Sequence, residues 1–163
     1  MLNVEVMVES LPVFLAGALV TLKLLAASLA IGLVFAIPLA ALRSSPSRWQ
    51  SRPVWLFTYV IRGTPMLVQL FLIYYGLAQF EWVRQGPLWP WLSQAWFCAV
   101  LAFGINTCAY TTEILAGAIA ATSHGEVEAA RAMGMDTATL YRRILLPSAL
   151  RRALPAYSNE VIM

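Results

Sequence analysis

Residues 125–147 read GEVEAARAMGMDTATLYRRILLP and form a polar, arginine-bearing segment in an otherwise apolar chain. Within this segment, Glu128-Ala129-Ala130 is followed first by Gly134 and then by Ile144 and Leu146-Pro147. The spacing has more internal organisation than a connector between two apolar stretches needs. The segment is therefore the starting point for assigning both a fold and a function.

The local pattern predicts two short helices joined by a turn. Residues 123–126, SHGE, can cap a helix over residues 127–133, and Gly134 is well placed to end it in a left-handed conformation. Asp136 can cap a second helix that runs through Leu146 and stops at Pro147. The residues expected on one face of the first helix are Val127, Ala130 and Met133.

The composition places most of the chain in a membrane. Of the 163 residues, 60% are hydrophobic and only 12% are charged, and the mean hydropathy is +0.71. A soluble domain carries about a quarter charged residues, whereas a membrane-crossing helix needs about 20 mostly apolar residues in succession. Three stretches meet that requirement: residues 13–42, 54–80 and 95–121. The sequence predicts an all-α integral membrane protein with three transmembrane helices.

The other segments complete one predicted domain that covers residues 1–163. Residues 122–154 form the polar loop with its two short helices, and residues 155–163 turn apolar again as the start of a fourth span. The second span contains Arg62-Gly63-Thr64-Pro65, close to its predicted inner end. Because Pro65 removes a backbone hydrogen bond and Gly63 adds conformational freedom, we expect a kink or local break there.

Arginines are divided unevenly among the loops. Two groups, after the first and the third spans, hold most of them: Arg43, Arg48, Arg52, Arg131, Arg142, Arg143, Arg151 and Arg152. The loop between the second and third spans has only Arg84, and residues 1–12 contain no Lys or Arg. The positive-inside rule then places the N-terminus outside and the 122–154 loop in the cytoplasm. The net charge of +3 reflects this topology and does not indicate a nucleic-acid site.

Charged side chains within the predicted spans have two interpretations each. A carboxylate such as Glu113 is costly in a membrane, on the order of 2.5 kcal/mol or more at the bilayer centre. Glu113 either gates a cation path or pairs with Arg62 and holds two helices together, and its closeness to the polar loop favours the structural role. Lys23 either faces a polar path or, as we prefer, extends its ammonium group to the outer headgroups.

Further polar residues lie near these positions. Asn106 and Tyr110 are one helical turn apart, and they either line a substrate site or form hydrogen bonds between helices. The same two interpretations apply to Asn159 and Glu160. His124, near a helix start, is interpreted as a capping or solvated residue because no second metal ligand accompanies it.

Several motifs together resemble a known family. Residues 109–113 read AYTTE, residues 117–119 read GAI and residues 125–130 read GEVEAA. This series resembles the EAA loop of ABC-importer permeases for polar amino acids. RGTP at residues 62–65, followed by Gln69, resembles a second motif of that family.

Two other motifs narrow the resemblance. NTCAY at residues 106–110 and PAYSNE at residues 155–160 are most similar to permease subunits for histidine, lysine, arginine and ornithine uptake. The resemblance begins near Thr21-Leu22 and continues to the end of the chain. A complete member of the family carries further spans, so the resemblance implies a C-terminally truncated permease.

The resemblance also implies partners and a mechanism. A periplasmic amino-acid-binding protein delivers substrate, a cytosolic ABC ATPase dimer docks on the EAA loop, and a second permease subunit, identical or different, completes the pore in the bacterial inner membrane. ATP-driven closure of the ATPase moves the loop and rocks the helices between outward and inward access. The implied substrates are basic or polar L-amino acids such as arginine, ornithine, lysine or histidine, and this chain binds no cofactor of its own.

The residues of the loop suit this docking role. Glu128 offers a charge to an arginine or backbone amide of the ATPase, and Ala129 and Ala130 let the surfaces approach closely. Ile144 and Leu146 would pack the second helix against the bundle. The predicted coupling residues are Gly125, Glu126, Glu128, Ala129, Ala130, Gly134, Ile144, Leu146 and Pro147. The candidates for the translocation path are Asn106, Tyr110, Glu113, Asn159 and Glu160, and those for a structural hinge are Arg62, Gly63, Thr64 and Pro65. The alternative for the loop is an amphipathic helix that lies on the membrane.

The sequence lacks the motifs typical of ATP hydrolysis, nucleophilic catalysis and metal binding. It has no Gly-x-x-x-x-Gly-Lys-Ser/Thr phosphate loop, so ATP hydrolysis must come from another chain. No Ser-His-Asp or Cys-His grouping and no metal-ligand cluster is recognisable, so we predict no catalytic or metal site and do not expect an enzyme. Two alternatives to the importer are an inactive truncated permease and a fragment of a secondary transporter or channel. The latter would use the broken helix at residues 63–65 as its ion site, but no inverted repeat is apparent.

Overall fold

The computed structural model describes the backbone of residues 4–162 and the side chains of residues 9–162. These residues form helices joined by turns, with no strand among them, which confirms the all-α prediction. The helices are α1 Val4–Arg43, α2 Arg48–Arg62, α3 Met66–Phe71, α4 Glu81–Arg84, α5 Trp89–Leu92, α6 Ala95–Ala120, α7 His124–Ala132, α8 Thr137–Leu140 and α9 Leu146–Ile162. Residues 1–3 and 163 of the predicted domain lie outside the described residues.

Two helices are long and apolar enough to cross a membrane, within Glu9–Arg43 and Ala95–Ala120. A third crossing is present if the bent pair Arg48–Arg62 and Met66–Gln79 is counted as one span. The second part of that pair consists of α3, a π-helical turn at Leu72–Gly76 and a 3-10 turn at Leu77–Gln79. Two of the three apolar stretches recognised in the sequence therefore correspond to single helices of the required length, and the third corresponds to the bent pair.

A stripe of small residues brings α1 against α6. Ser28, Gly32, Ala36 and Ala40 follow one another at four-residue intervals, and all four are buried. A Cβ atom added at Gly32 would lie 2.6 Å from the Cγ2 atom of Thr107, so only glycine permits this approach. In a membrane, close van der Waals packing of small residues replaces the hydrophobic driving force between helices. The four-residue spacing of this stripe is visible in the sequence, but none of the motifs that predicted the fold includes it.

The second predicted span is not one helix over residues 54–80. It begins at Arg48, and the chain bends by 100° between α2 and α3, at the Gly63–Pro65 position where we expected a kink or break. A Cβ atom at Gly63 would lie 2.9 Å from the Tyr59 carbonyl oxygen, and Pro65 has no N–H with which to continue the helix. Because α2 starts at Arg48, Arg62 lies at its far end. The prediction that the motif falls about two turns into its helix was wrong, because α2 begins six residues before Val54.

The predicted stop at Pro147 is also wrong. Helix α9 runs without interruption from Leu146 to Ile162, through Pro147 and Pro155. Pro147 occupies the first turn of α9, where a missing N–H is tolerated. The π-helical turn Tyr141–Leu145 precedes it and gives the backbone a wider turn in which the ring is accommodated. The last part of the polar loop, from Leu146, and the following apolar segment are therefore parts of one helix.

The core lies where three helices meet. Its buried members come from α1, α6 and α9: Ala36, Ala40, Cys108, Leu115, Ile119, Ala149 and Ala153. Small residues supplied by α1 and α9 surround the larger side chains of α6. Helix α6 is thus the central element against which α1, α2 and α9 all pack.

Candidate functional site

The first candidate site is the hairpin of residues 123–145, formed by α7, the turn at Gly134 and α8 with its π-helical turn. The Ser123 Oγ atom accepts from the Glu126 amide at 3.3 Å, and Asp136 Oδ2 accepts from the Ala138 amide at 3.2 Å. Gly134 has a φ of 78°, in the left-handed region, which confirms the predicted turn. Hydrogen bonding, first from the Thr139 side chain, lowers the pKa of the Asp136 carboxyl group below its ordinary value.

The hairpin has a small hydrophobic core of its own. Ala130, Leu140 and Leu145 are buried in it, and the partly buried residues around them include Ile144. Ile144, predicted to pack the second helix against the bundle, packs against this hairpin core and is not among the residues grouped with the bundle core. Ala149 and Ala153 instead connect α9 to the bundle core. Leu146 is partly buried, and Pro147 is exposed.

One residue predicted to share a face of the first helix with Val127 and Ala130 lies on the outside. Helix α7 ends at Ala132, and Met133, the residue that follows, is 80% exposed. Met135, just after the Gly134 turn, packs against the hairpin core instead. The outer face of α7 therefore presents an apolar side chain beside the exposed residues predicted for coupling, which are Gly125, Glu126, Glu128 and Ala129.

A cleft of about 670 Å³ separates the hairpin from the helix bundle. On the bundle side it is lined by Arg43 and Glu113, and on the hairpin side by His124, Arg131 and Tyr141. Burial raises the pKa of the Tyr141 hydroxyl. The hairpin is thus attached to the bundle at its two ends and through Tyr141, which packs against the bundle core, and the cleft lies between these contacts.

Glu113 is an anchor between helices. Its Oε1 atom accepts from Arg43 Nε at 2.9 Å and from the Thr58 hydroxyl at 2.6 Å. The structural interpretation of Glu113 is supported, but the predicted partner Arg62 was wrong. Arg62 lies at the far end of α2, whereas Arg43 ends α1 beside the position of Glu113 on α6.

The second candidate site is the hinge cavity, a polar space of about 410 Å³ beside the bend between α2 and α3. Its lining is Arg62, Gly63, Thr64, Pro65, Met66, Asn106, Tyr110 and Glu160. The Arg62 guanidinium carbon lies 5.0 Å from the centre of the Tyr110 ring, within the range of a cation–π contact. The residues predicted as a hinge, Arg62 to Pro65, and three of those predicted for the path, Asn106, Tyr110 and Glu160, thus line the same cavity. Two path candidates do not line it: Asn159 is exposed, and Glu113 faces the hairpin cleft.

Gln69 holds the bend in shape. Its Nε2 atom donates to the carbonyl oxygens of Ile61 at 2.6 Å and Thr64 at 3.0 Å, on either side of the break in the helix. Asn106 Nδ2 lies 3.4 Å from Gln69 Oε1 and connects this arrangement to α6. The position of Gln69 after RGTP marks a family motif, but only the tertiary structure shows what its side chain contacts.

Among the residues that the structure describes, no three His, Cys, Asp or Glu side chains come together as a group that could hold a metal ion. His124 belongs to the first turn of α7 and lines the hairpin cleft.

Comparison with known proteins identifies the fold. The sequence profile of the family described as "Binding-protein-dependent transport system inner membrane component" matches residues 28–163. The chain belongs to this family. It is an inner membrane component of a binding-protein-dependent transport system, and the family's matched region includes both candidate sites.

Similar permeases are found in several bacteria. The chain is 48% identical to the nopaline transport system permease protein of Agrobacterium fabrum, over 99% of this chain and 68% of that protein. It is 45% identical to the octopine permease protein of Rhizobium meliloti, over 95% of this chain and 63% of that protein. It is 53% identical to the histidine/lysine/arginine/ornithine permease protein of Escherichia coli, over 90% of this chain and 62% of that protein.

A solved structure has the same fold. It is the crystal structure of an amino acid ABC transporter with histidines, with a TM-score of 0.81 and 36% identity, covering 99% of this chain and 72% of that one. These relatives are transport permease subunits and not enzymes. They do not favour the alternative of a secondary transporter or channel. The chain spans between about three fifths and two thirds of the length of the relatives it matches.

Proposed function

We propose that this chain is the membrane-spanning subunit of an ATP-driven importer that carries basic or polar L-amino acids across the bacterial inner membrane. The observation that carries the proposal is the hairpin, which folds around its own core and leaves Glu128, Ala129 and Met133 exposed. The named relatives act in transport of nopaline, octopine and histidine, lysine, arginine or ornithine. They support an amino-acid substrate such as arginine, ornithine, lysine or histidine.

The exposed face of α7 fits a protein partner better than a lipid surface. An amphipathic helix that lies on a membrane needs a free apolar face. Here the apolar side chains on one side of α7 pack against Leu140 and Leu145 within the hairpin. What remains outside is a short surface with a carboxylate at Glu128, a small side chain at Ala129 and one flexible apolar group at Met133. Such a surface suits a cleft on a cytosolic ATPase.

The same proposal includes the other components of the transporter. Because the sequence has no phosphate loop, ATP binds to a separate ATPase dimer and not to this chain. A second permease subunit, identical or different, completes the pathway, and a periplasmic binding protein delivers the amino acid. The arginine groups around Arg43 to Arg52 and Arg131 to Arg152 support a cytoplasmic hairpin and a periplasmic N-terminus.

We place the translocation path at the hinge cavity. Tyr110 and Asn106 precede the end of α6 at Ala120 by about 15 and 21 Å at 1.5 Å per residue, which is near the middle of a hydrocarbon core about 30 Å thick. Transporters commonly bind substrate at this depth, beside a discontinuous helix. Arg62 offers a charge complementary to a carboxylate, and Glu160 offers one complementary to an ammonium group.

Docking is tested by reversing one charge on the hairpin. Glu128→Arg in the complete permease should weaken co-purification with the ATPase and reduce amino-acid uptake, because the charge offered to the ATPase changes sign. Glu81→Arg, at an exposed carboxylate of α4, makes the same charge change away from the hairpin and should leave both unchanged. If Glu128→Arg behaves like Glu81→Arg, the docking proposal fails.

The path is tested separately from docking. Asn106→Leu should reduce uptake while ATPase association is retained, because it removes an amide from the hinge cavity. Asn159→Leu removes an amide that lies outside the cavity lining and should have the smaller effect. Competition among arginine, histidine, lysine and glutamine for uptake by the complete transporter would identify the preferred substrate. An Asn106→Leu transporter with unchanged uptake would contradict the proposed path.

A further inference from the structure

Arg152 on α9 joins the two ends of the hairpin. Its Nη1 atom donates to the Ala121 carbonyl oxygen at 2.8 Å, and its Nη2 atom donates to the Thr122 hydroxyl at 2.6 Å and to the Ser148 hydroxyl at 3.0 Å. Ala121 caps the end of α6, and Thr122 directly precedes Ser123, the first residue of the hairpin. Ser148 lies just beyond the hairpin's other end, one turn before Arg152.

These contacts satisfy groups that the helix end would otherwise leave without partners. The last carbonyl groups of an α-helix have no donor within the helix, and the helix dipole places partial negative charge there. A guanidinium group supplies both donors and positive charge. Thr122 is only 7% exposed, so its hydroxyl group lies where an unmade hydrogen bond is costly.

The packing beneath Arg152 makes this end of the hairpin rigid. Ala149 is fully buried and Ala153 is nearly so, and both lie in the core that contains Leu115 and Ile119 of α6. The middle of the hairpin, in contrast, is separated from the bundle by the cleft of about 670 Å³. The hairpin is therefore held firmly at its base. Above the base, Tyr141 packs against the bundle core, and the cleft separates the rest of the hairpin's inner side from the bundle.

We propose that Arg152 is a positioning residue that clamps the base of the hairpin, so that a displacement of the hairpin turns α6 and α9 together. This inference rests on the proposed docking of an ATPase on the hairpin. Since Tyr110 and Asn106 lie on α6 and Glu160 lies on α9, rotation of the two helices as one body moves both sides of the hinge cavity. Without the clamp, the hairpin would still bind the ATPase, but part of its movement would be lost at the Ala121–Ser123 junction.

Arg151 provides a matched control. It is the neighbouring arginine on α9, and it is exposed. Among the described residues its side chain forms no hydrogen bond, in contrast to that of Arg152. Arg151→Gln and Arg152→Gln remove the same charge one residue apart. Thr122→Val removes one acceptor of the clamp by an independent route and preserves the volume of the side chain.

The decisive measurement is amino acid transported per ATP hydrolysed, by the complete transporter reconstituted in vesicles. Arg152→Gln should lower this ratio by about tenfold, since loss of one charged hydrogen bond shifts an equilibrium by that order. Co-purification with the ATPase should be retained. Thr122→Val should lower the ratio less, and Arg151→Gln should leave it unchanged. Equal ratios for Arg151→Gln and Arg152→Gln would overturn the clamp.

Hydrogen exchange in the purified permease alone provides a second test that needs no ATPase. Arg152→Gln and Thr122→Val should speed exchange of the backbone amides in residues 117–123, and Arg151→Gln should not. Unchanged exchange in both variants overturns the clamp even if docking is real. If exchange rises as expected but Glu128→Arg leaves ATPase association intact, the docking proposal fails and Arg152 is a structural cap only.

Discussion

Arg43 Nε donates to Glu113 Oε1 over 2.9 Å and joins the end of α1 to α6. The same carboxylate oxygen accepts from the Thr58 hydroxyl of α2 at 2.6 Å. The Glu113 carboxylate therefore connects three helices at the floor of the hairpin cleft, α1 through the ion pair and α2 through the hydrogen bond. The side chains of Arg43 and Glu113 are 28% and 20% exposed, so solvent weakens their attraction only in part.

Removing the charge of Glu113 should destabilise the permease. We expect Glu113→Gln to lower its free energy of unfolding by about 1–3 kcal/mol, because Arg43 would keep its charge without a charged partner. Thermal unfolding of the detergent-purified protein measures the effect. The double variant Arg43→Gln/Glu113→Gln should be more stable than the sum of the two single effects predicts, by about 0.5–3 kcal/mol. Strict additivity would show that the pair does not couple the helices.

Helix α1 should tolerate a methyl group at one glycine and not at another. An added Cβ at Gly32 would meet Thr107 Cγ2 at 2.6 Å, whereas nothing lies within 4 Å of one added at Gly17. Gly32→Ala should therefore cost about 1–3 kcal/mol, as overpacking of a close interface does. Gly17→Ala should be neutral or stabilising, because alanine favours a helix. The two thermal unfolding curves provide the comparison, and coincident curves would exclude a tight α1–α6 contact at Gly32.

The bend at Gly63–Pro65 should depend on Gln69. Gln69→Leu removes the side-chain donor from the Thr64 carbonyl group, at a cost of about 1–3 kcal/mol if that group is left unsatisfied. The Ile61 carbonyl loses one of its donors but keeps the hydroxyl and amide of Thr64. We expect lower stability and reduced uptake, with ATPase association retained because the hairpin is not touched. Gln79→Leu is the control, since Gln79 is exposed and makes only a 3.4 Å bond to Tyr75. Equal uptake in the two variants would contradict a role for Gln69 in shaping the cavity.

The hairpin should become less stable in acid through Asp136. Hydrogen bonds hold the pKa of this carboxyl group below its ordinary value, so the stabilisation is complete above the unfolded-state pKa of about 3.9 and is lost as pH falls through the lower folded-state pKa. Asp136→Asn retains an acceptor for the Ala138 amide but does not titrate. Hydrogen exchange of the hairpin amides between about pH 6 and pH 3, corrected for intrinsic rates, should show extra opening in acid for the wild type only. The same acid response in Asp136→Asn would assign the effect to another group.

Local features of the hairpin were predictable because they depend on neighbours in sequence. Ser123 and Asp136 cap helices whose amides lie only two or three residues further on, and Gly134 ends a helix through its own backbone freedom. The prediction for Met133 failed for a local reason as well, since the helix ends one residue earlier than its periodicity suggested. The prediction that the helix stops at Pro147 was wrong because the preceding π-helical turn accommodates the proline ring, and no residue pattern indicates that turn.

The sequence by itself determined the apolar helices, the caps and turn of the hairpin, the break near Pro65 and the resemblance to a permease. Each of these rests on hydrophobicity, backbone freedom or spacing within a few residues. Only the tertiary structure decided that Glu113 pairs with Arg43, 70 residues away, that Gln69 meets Asn106 across 37 residues, and that Arg62 shares a cavity with Tyr110 and Glu160. Such partners depend on how far each helix extends and how closely helices approach. Those distances are set by small residues such as Gly32 and by the 100° bend, and no single segment encodes them.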